Sequence, residues 1–324
     1  MKTISFLLIL VPTLLFSQIQ IGSDINGEAD GDWFGQSVSL SSDGSIVAIE
    51  ASHNNENGVN SGHVRVYRND NDVWTQIGSD IDGEAEYDWF GQSVSLSSDG
   101  SIVAIGAYGN DNNGSGSGQV CIYKNDNDVW TKIGSDINGE AAGDVSGWSV
   151  NLSSDGSIIA IGATGAPPGF DSGTASGYVR IYKNDNNVWT KIGSDINGEI
   201  ASGDKSGYSV SLSSDGGIIA IGTVGNINGT ESGHVKVFDL SAVLSSDGFV
   251  LQRLNVFPNP SSNIINVQLK DNIDLKRINI YNNLAQLLFS TREKEISTNN
   301  LSPGYYFVEV ETDQGRAAKM FVVK

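Results

Sequence analysis

Two Asp-Trp pairs, Asp32-Trp33 and Asp88-Trp89, stand 56 residues apart in loops rich in Asp and Glu. An indole beside carboxylates can stack on a sugar ring or a cation. Trp33, Trp89, Asp32 and Asp88 are therefore candidate ligand contacts, with Tyr108 in a second loop as a fifth. No nucleophile or acid–base pair accompanies them, so no catalytic residue, metal ligand or cofactor is expected. The pairs Glu28/Asp32, Glu84/Asp88, Glu140/Asp144 and Glu199/Asp204 recur in every repeat. A glycosidase pair belongs to one sugar site, so these read as solvated loops. His63 and His234 fill one repeat position, held elsewhere by Gln119 and Tyr178, and read as strand starts. His53 lies in a variable loop with no second His or Cys near it. Cys121 is the single cysteine, at a position that Arg65 and Arg180 fill in other repeats. It reads as incidental, and one thiol leaves no internal disulfide.

The elements that position these residues are written in internal repetition. Ile-Gly-Ser-Asp-Ile begins at Ile21, Ile77, Ile133 and Ile192, at spacings of 56, 56 and 59. Between copies, Val38 and Leu40 alternate with serines at period two. Asp-Gly recurs at Asp43, Asp99, Asp155 and Asp215, and predicts a two-residue hairpin with positive φ at both central positions. Val64 and Val66 then alternate with Arg65 and Tyr67, and Trp74, Trp130 and Trp189 each open a fourth strand. Four short antiparallel strands per unit predict an all-β chain, a β-propeller of four four-stranded repeats of ~56 residues. The phrase Ile19 to Ile25 has no repeat before it, and the last repeat stops at Val235 to Phe238 with no fourth strand after it. The N-terminal strand is therefore expected to close the last blade, as rings do to remove exposed edges. An open arc, or two chains sharing a larger ring, is the alternative.

Phe34-Gly35 and Phe90-Gly91 opening the blade, Ile105-Gly106-Ala107 and Ile161-Gly162-Ala163 closing its second strand, and Gly-x-Val-x-Val/Ile-Tyr in the third resemble the FG-GAP repeats of integrin-type propellers. The likeness runs from Ile19 to about Leu240. Phe34 and Phe90 become Ser146 and Ser206 in the later copies, and four copies fall short of that family's usual seven. The family's calcium loop lies between the first two strands. Here that place holds only Ser-Ser-Asp-Gly-Ser/Gly, too short for the six to eight oxygens calcium takes, so no calcium site is expected there.

The two ends of the chain read differently. Lys2 followed by the apolar run Ile4 to Phe16 and the small residue Ser17 predicts a secretory signal peptide over residues 1–17, and the run is too short to span a bilayer. No transmembrane segment is expected. The repeats occupy 18–240 and a linker 241–253. Alternating segments over 254–324 predict a small Ig-like β-sandwich. Val256-Phe257-Pro258-Asn259-Pro260, Ile278-Asn279-Ile280-Tyr281-Asn282, Leu301-Ser302-Pro303-Gly304-Tyr305-Tyr306-Phe307-Val308 and the ending Lys319-Met320-Phe321-Val322-Val323-Lys324 resemble the C-terminal sorting domain of the type IX secretion system of Bacteroidetes. That resemblance implies the type IX machinery as a partner and a secreted or outer-membrane-surface location.

Charge narrows the remaining partners. The net charge is −19, and residues 19–252 carry nine basic against thirty-one acidic side chains. Such a module repels nucleic acid and anionic membrane. The reading is a secreted binding or adhesion protein for a glycan or extracellular protein. An extracellular polysaccharide hydrolase, or a structural surface-coat component, is the alternative.

Overall fold

The computed structural model describes residues 18–165, 176–199, 203–225, 233–240, 243–244, 254–269, 274–284, 286–312 and 315–324. The signal-peptide segment, residues 1–17, lies outside the described residues, as does most of the expected linker. Each repeat builds one antiparallel sheet. The first holds β1 (Val38–Leu40), β2 (Ile46–Ala51), β3 (His63–Asp70) and β4 (Val73–Gln76), with β5 (Ile81–Asp82) beside β3. The second holds β6 (Phe90–Leu96), β7 (Ile102–Ala107), β8 (Gln119–Asp126), β9 (Val129–Lys132) and β10 (Ile137–Asn138). The third is β11 (Ser146–Leu152), β12 (Ile158–Ala163), β13 (Tyr178–Asp185) and β14 (Val188–Asn197). The fourth has only β15 (Ser206–Leu212), β16 (Ile218–Thr223) and β17 (His234–Asp239).

The turns differ from the expected ones. Asp43, Asp99, Asp155 and Asp215 do not take positive φ; only the glycine after each does, at 75°, 69°, 69° and 71°. Gly44 N–H donates to the Ser41 carbonyl at 3.0 Å, and Ser41 N–H to Ile46 at 2.8 Å, so a four-residue turn ends in a left-handed glycine. The two-residue hairpins with both φ positive are instead Asn71-Asp72, Asn127-Asp128 and Asn186-Asn187. Asn and Asp tolerate that region better than other side chains with a Cβ, and these turns join the third strand to the fourth.

The core lies between sheets. Val64 and Val66 of the first sheet bury against Phe90, Val94 and Leu96 of the second. Val120 and Ile122 bury against Val150 and Leu152, and Val179 and Ile181 against Ile219 and Ile221. The first strands lie side by side at the inner edge. Ser42 N–H donates to the Ser98 carbonyl, Ser98 to Ser154 and Ser154 to Ser214, each at 2.8 Å. Glycine lets the seams close: a Cβ on Gly62 would land on the Phe90 backbone, and one on Gly118 or Gly177 on that of Ser146 or Ser206.

The expected closure of the last sheet by the N-terminal strand is corrected. Residues 18–21 have no strand structure, and β17 is the edge of the fourth sheet among the described residues. The Ile21 carbonyl accepts from Trp74 Nε1 at 2.9 Å, as Ile77 accepts from Trp130 and Ile133 from Trp189. The N-terminal phrase thus takes the seat its copies take against the following sheet, without a β17 beside it.

The C-terminal residues form two sheets. One is β18 (Leu254–Phe257), β19 (Ile264–Leu269) and β22 (Glu295–Ser297). The other is β20 (Leu275–Asn282), β21 (Leu287–Thr291), β23 (Gly304–Thr312) and β24 (Gly315–Val323). Leu254, Val256, Ile265, Val267 and Ile296 of the first share one core with Ile278, Ile280, Val308, Val310 and Phe321 of the second. Among the described residues no helix is long and apolar enough to cross a membrane.

Candidate ligand-binding face

In the first two repeats the loop before the first strand and the loop from second to third strand meet at one end of the sheet. Asn54 Nδ2 donates to Asp32 at 3.0 Å, and Asn110 Nδ2 to Asp88 at 3.1 Å. Asp32 is 3% and Asp88 4% exposed, and burial raises the Asp88 carboxyl above its ordinary range. Asp32 and Asp88 therefore tie two loops together beneath the surface instead of facing solvent, which corrects the reading of these acids as solvated. Asp204 is fully buried, and Asp144 accepts from the backbone of Glu140 and Ala141 and from the Tyr178 hydroxyl. The repeated glutamates are also engaged. Glu28 pairs with Arg65, Glu84 with Lys132 at 3.0 Å, Glu140 with Arg180 at 2.8 Å and Glu199 with Lys236 at 2.7 Å.

Above these ties lies a row of aromatic rings. Trp33, Trp89, Val145 and Lys205 share one repeat position, and all four have positive φ, between 47° and 58°. For Val145 this is a genuine outlier. Backbone in this region costs about 1–3 kcal/mol and persists only where its surroundings dictate it. Here Trp89 and Phe90 N–H groups donate to the Asn60 and Ser61 carbonyls at 3.1 and 3.0 Å. Trp33 is 59% exposed, and its ring lies 4.0 Å from that of His53, whose imidazole burial holds below its ordinary pKa. Trp89 stacks on Tyr108 at 5.1 Å and 5°, and Tyr87 lies tilted to it at 5.9 Å. Burial raises the pKa of the Tyr108 hydroxyl, keeping it neutral.

The row continues through two residues the sequence reading missed. Tyr108 meets Trp148 edge-on at 5.2 Å, and Trp148 meets Tyr208 at 5.5 Å. Both sit where strand register slips, between Ser146 and Ser149 and between Ser206 and Ser209. A bulge re-aims a side chain, and it turns these rings toward the loop face. The sequence signal was the column Gln36, Gln92, Trp148, Tyr208, where an amide becomes an aromatic. Trp33, Trp89 and Tyr108 are thus all on the face, and Trp89, Tyr108, Trp148 and Tyr208 form one continuous run over three sheets.

The hairpin aspartates do not fit calcium. Ser41 Oγ, Ser45 N–H and Ser45 Oγ donate to Asp43 at 2.8, 2.9 and 2.7 Å, which lowers its pKa to about 2. Asp99 and Asp155 are held by their serines in the same way. One other cluster, Glu56, His63, Asp80 and Asp82, brings ligand-type atoms within 4.8 Å of one another. Arg65 already donates to both Asp80 oxygens, at 2.9 and 2.6 Å. The unpaired atoms His63 Nδ1 and Asp82 Oδ1 have an uncharged counterpart in Gln119 Nε2 and Asn138 Oδ1, so the same gap recurs in the second repeat without the charges.

Residues 255–324 match the family model of the secretion system C-terminal sorting domain. Residues 26–67 and 80–123 match that of the FG-GAP repeat. The sorting domain marks a type IX secreted protein, extracellular or attached to the cell surface. No curated protein matches the chain. Among solved structures, the chain is similar to the hydrazine synthase of Kuenenia stuttgartiensis, at 14% identity over 94% of this chain and 69% of that one, with a TM-score of 0.41. It is also similar to a putative 6-phosphogluconolactonase from Bacteroides uniformis, at 12% identity over 89% and 85%, TM-score 0.40. Likeness of this degree says nothing about substrate or chemistry.

Proposed function

We propose that the exported chain is a non-catalytic binding or adhesion protein whose aromatic row takes a glycan. The continuous run Trp89, Tyr108, Trp148 and Tyr208 carries the reading. Sugar rings present apolar C–H faces that lie on indole and phenol rings, and successive rings of a polysaccharide match successive aromatics. Trp33 with His53 extends the same face at the first sheet. Asp32 and Asp88 serve as the ties that hold the loops under the rings. The four sheets act as blades of a propeller-like scaffold, and residues 254–324 deliver it through the type IX machinery. The engagement of the repeated carboxylates by asparagines, backbone and basic side chains supports binding over hydrolysis.

Tryptophan fluorescence tests this. Titrating the mature protein with a panel of neutral polysaccharides should quench or shift the emission for at least one of them, without release of reducing ends. A panel that leaves the emission unchanged, or that is hydrolysed, would overturn the reading.

A further inference from the structure

Among the described residues, the stack of four sheets ends in two exposed faces that are the two halves of its own internal seam. At the leading end, Val38 and Leu40 are 61% and 58% exposed, whereas their counterparts Val94, Leu96, Val150 and Leu152 are at most 8% exposed. At the trailing end, Val235 and Val237 are 68% and 67% exposed, whereas Val64, Val66, Val120 and Ile122 are at most 1% exposed. Monomeric proteins rarely leave such contiguous apolar surface open.

The polar and steric details match as well. Val94 and Leu96 N–H donate to Ser37 and Ser39 hydroxyls of the preceding sheet, and Leu152 N–H to Ser95. Val38 and Leu40 have no preceding serine among the described residues, while Ser209 and Ser211 of the last sheet have no following strand. Gly100, Gly156 and Gly216 each seat an isoleucine of the preceding sheet. Gly44 seats none, and Ile218, 50% exposed, has no glycine over it. A missing strand completes the set: among the described residues β17 has no fourth-strand partner, and the N-terminal phrase, with Ile19 87% and Ile21 56% exposed, is in no sheet.

We infer that a second copy of this chain occupies these faces, head to tail. The last sheet of one copy packs on the first sheet of the next, and residues 19–25 of that next copy become the fourth strand beside β17. This contact repeats a seam the chain builds three times internally, and it is independent of the glycan reading. Such a contact is heterologous: it uses different faces of the two copies, and whether it closes a ring follows from the rotation per sheet.

Sedimentation of the mature full-length chain across the micromolar range tests it. The expected result is a dimer or larger assembly. Val38→Asp with Leu40→Asp should give a monomer, as should Val235→Asp with Val237→Asp. Mixed, the two variants should form a one-to-one pair, because one intact head meets one intact tail. Ser42→Cys with Ser214→Cys leaves both apolar faces intact and gives a second readout. Its oxidation should link separate chains, since internal counterparts of these residues are one hydrogen bond apart. A monomeric wild type, a link within one chain, or two variants that fail to pair would overturn the proposal.

Discussion

Where the first and third repeats place Arg65 and Arg180 against Asp80 and Asp195, the second places Cys121 against Asp136 at 3.3 Å. Lys132 supplies the missing cation, 2.8 Å from Asp136. Cys121 is 1% exposed, and burial pushes its thiol pKa up. A thiolate is the reactive form, so a disulfide reagent should leave Cys121 unlabelled in the native protein and label it fully in denaturant. Rapid native labelling would show that this packing is wrong. At this scale, Trp33, Trp89 and Tyr108 were legible because large aromatics in polar loops stand out by type. Trp148 and Tyr208 were not, because their strand positions look ordinary until a bulge turns them. Asp32 and Asp88 were placed on the face, but the asparagines that bury them come from a different loop, a contact that adjacency in sequence does not reveal.

Among the elements, the strands and the repeat boundaries followed from period-two alternation and the recurring phrases. The turn chemistry was exchanged: Asp-Gly looks like the two-residue hairpin, yet Asp43 uses its side chain to hold Ser41 and Ser45, which favours the longer turn. Glycine at the seams is where an element depends on its neighbour most. Gly118 has φ +77° and lies against the Ser146 backbone, whereas Gly143, at +80°, has nothing within 4 Å. Gly143→Ala carries only the conformational cost, about 1–2 kcal/mol. Gly118→Ala adds a clash with backbone and should destabilise by more than about 3 kcal/mol. Denaturant unfolding checks both; equal losses would show that the seam is looser than described.

For the molecule as a whole, the export tag was readable because its motifs stand in order at the C-terminal end of the sequence. Three core strands in each repeat were readable too, but the N-terminal phrase was expected as a further strand and is not one. The count says that residues 19–25 suit the last sheet, while the structure leaves that sheet open and seats Ile21 against Trp74. Whole-chain acidity argues against nucleic acid as a partner but did not reveal how many carboxylates are engaged within the fold. At this scale the aromatic row is the proposed binding surface. Trp148→Gln with Tyr208→Gln tests it directly, because Gln36 and Gln92 already fill the same position in the first two repeats. Calorimetric titration with a polysaccharide that shifts the wild-type emission should show affinity at least about tenfold weaker in the double variant, about 1.4 kcal/mol, with the melting curve unchanged. Equal affinity in a variant that melts like the wild type would contradict the account.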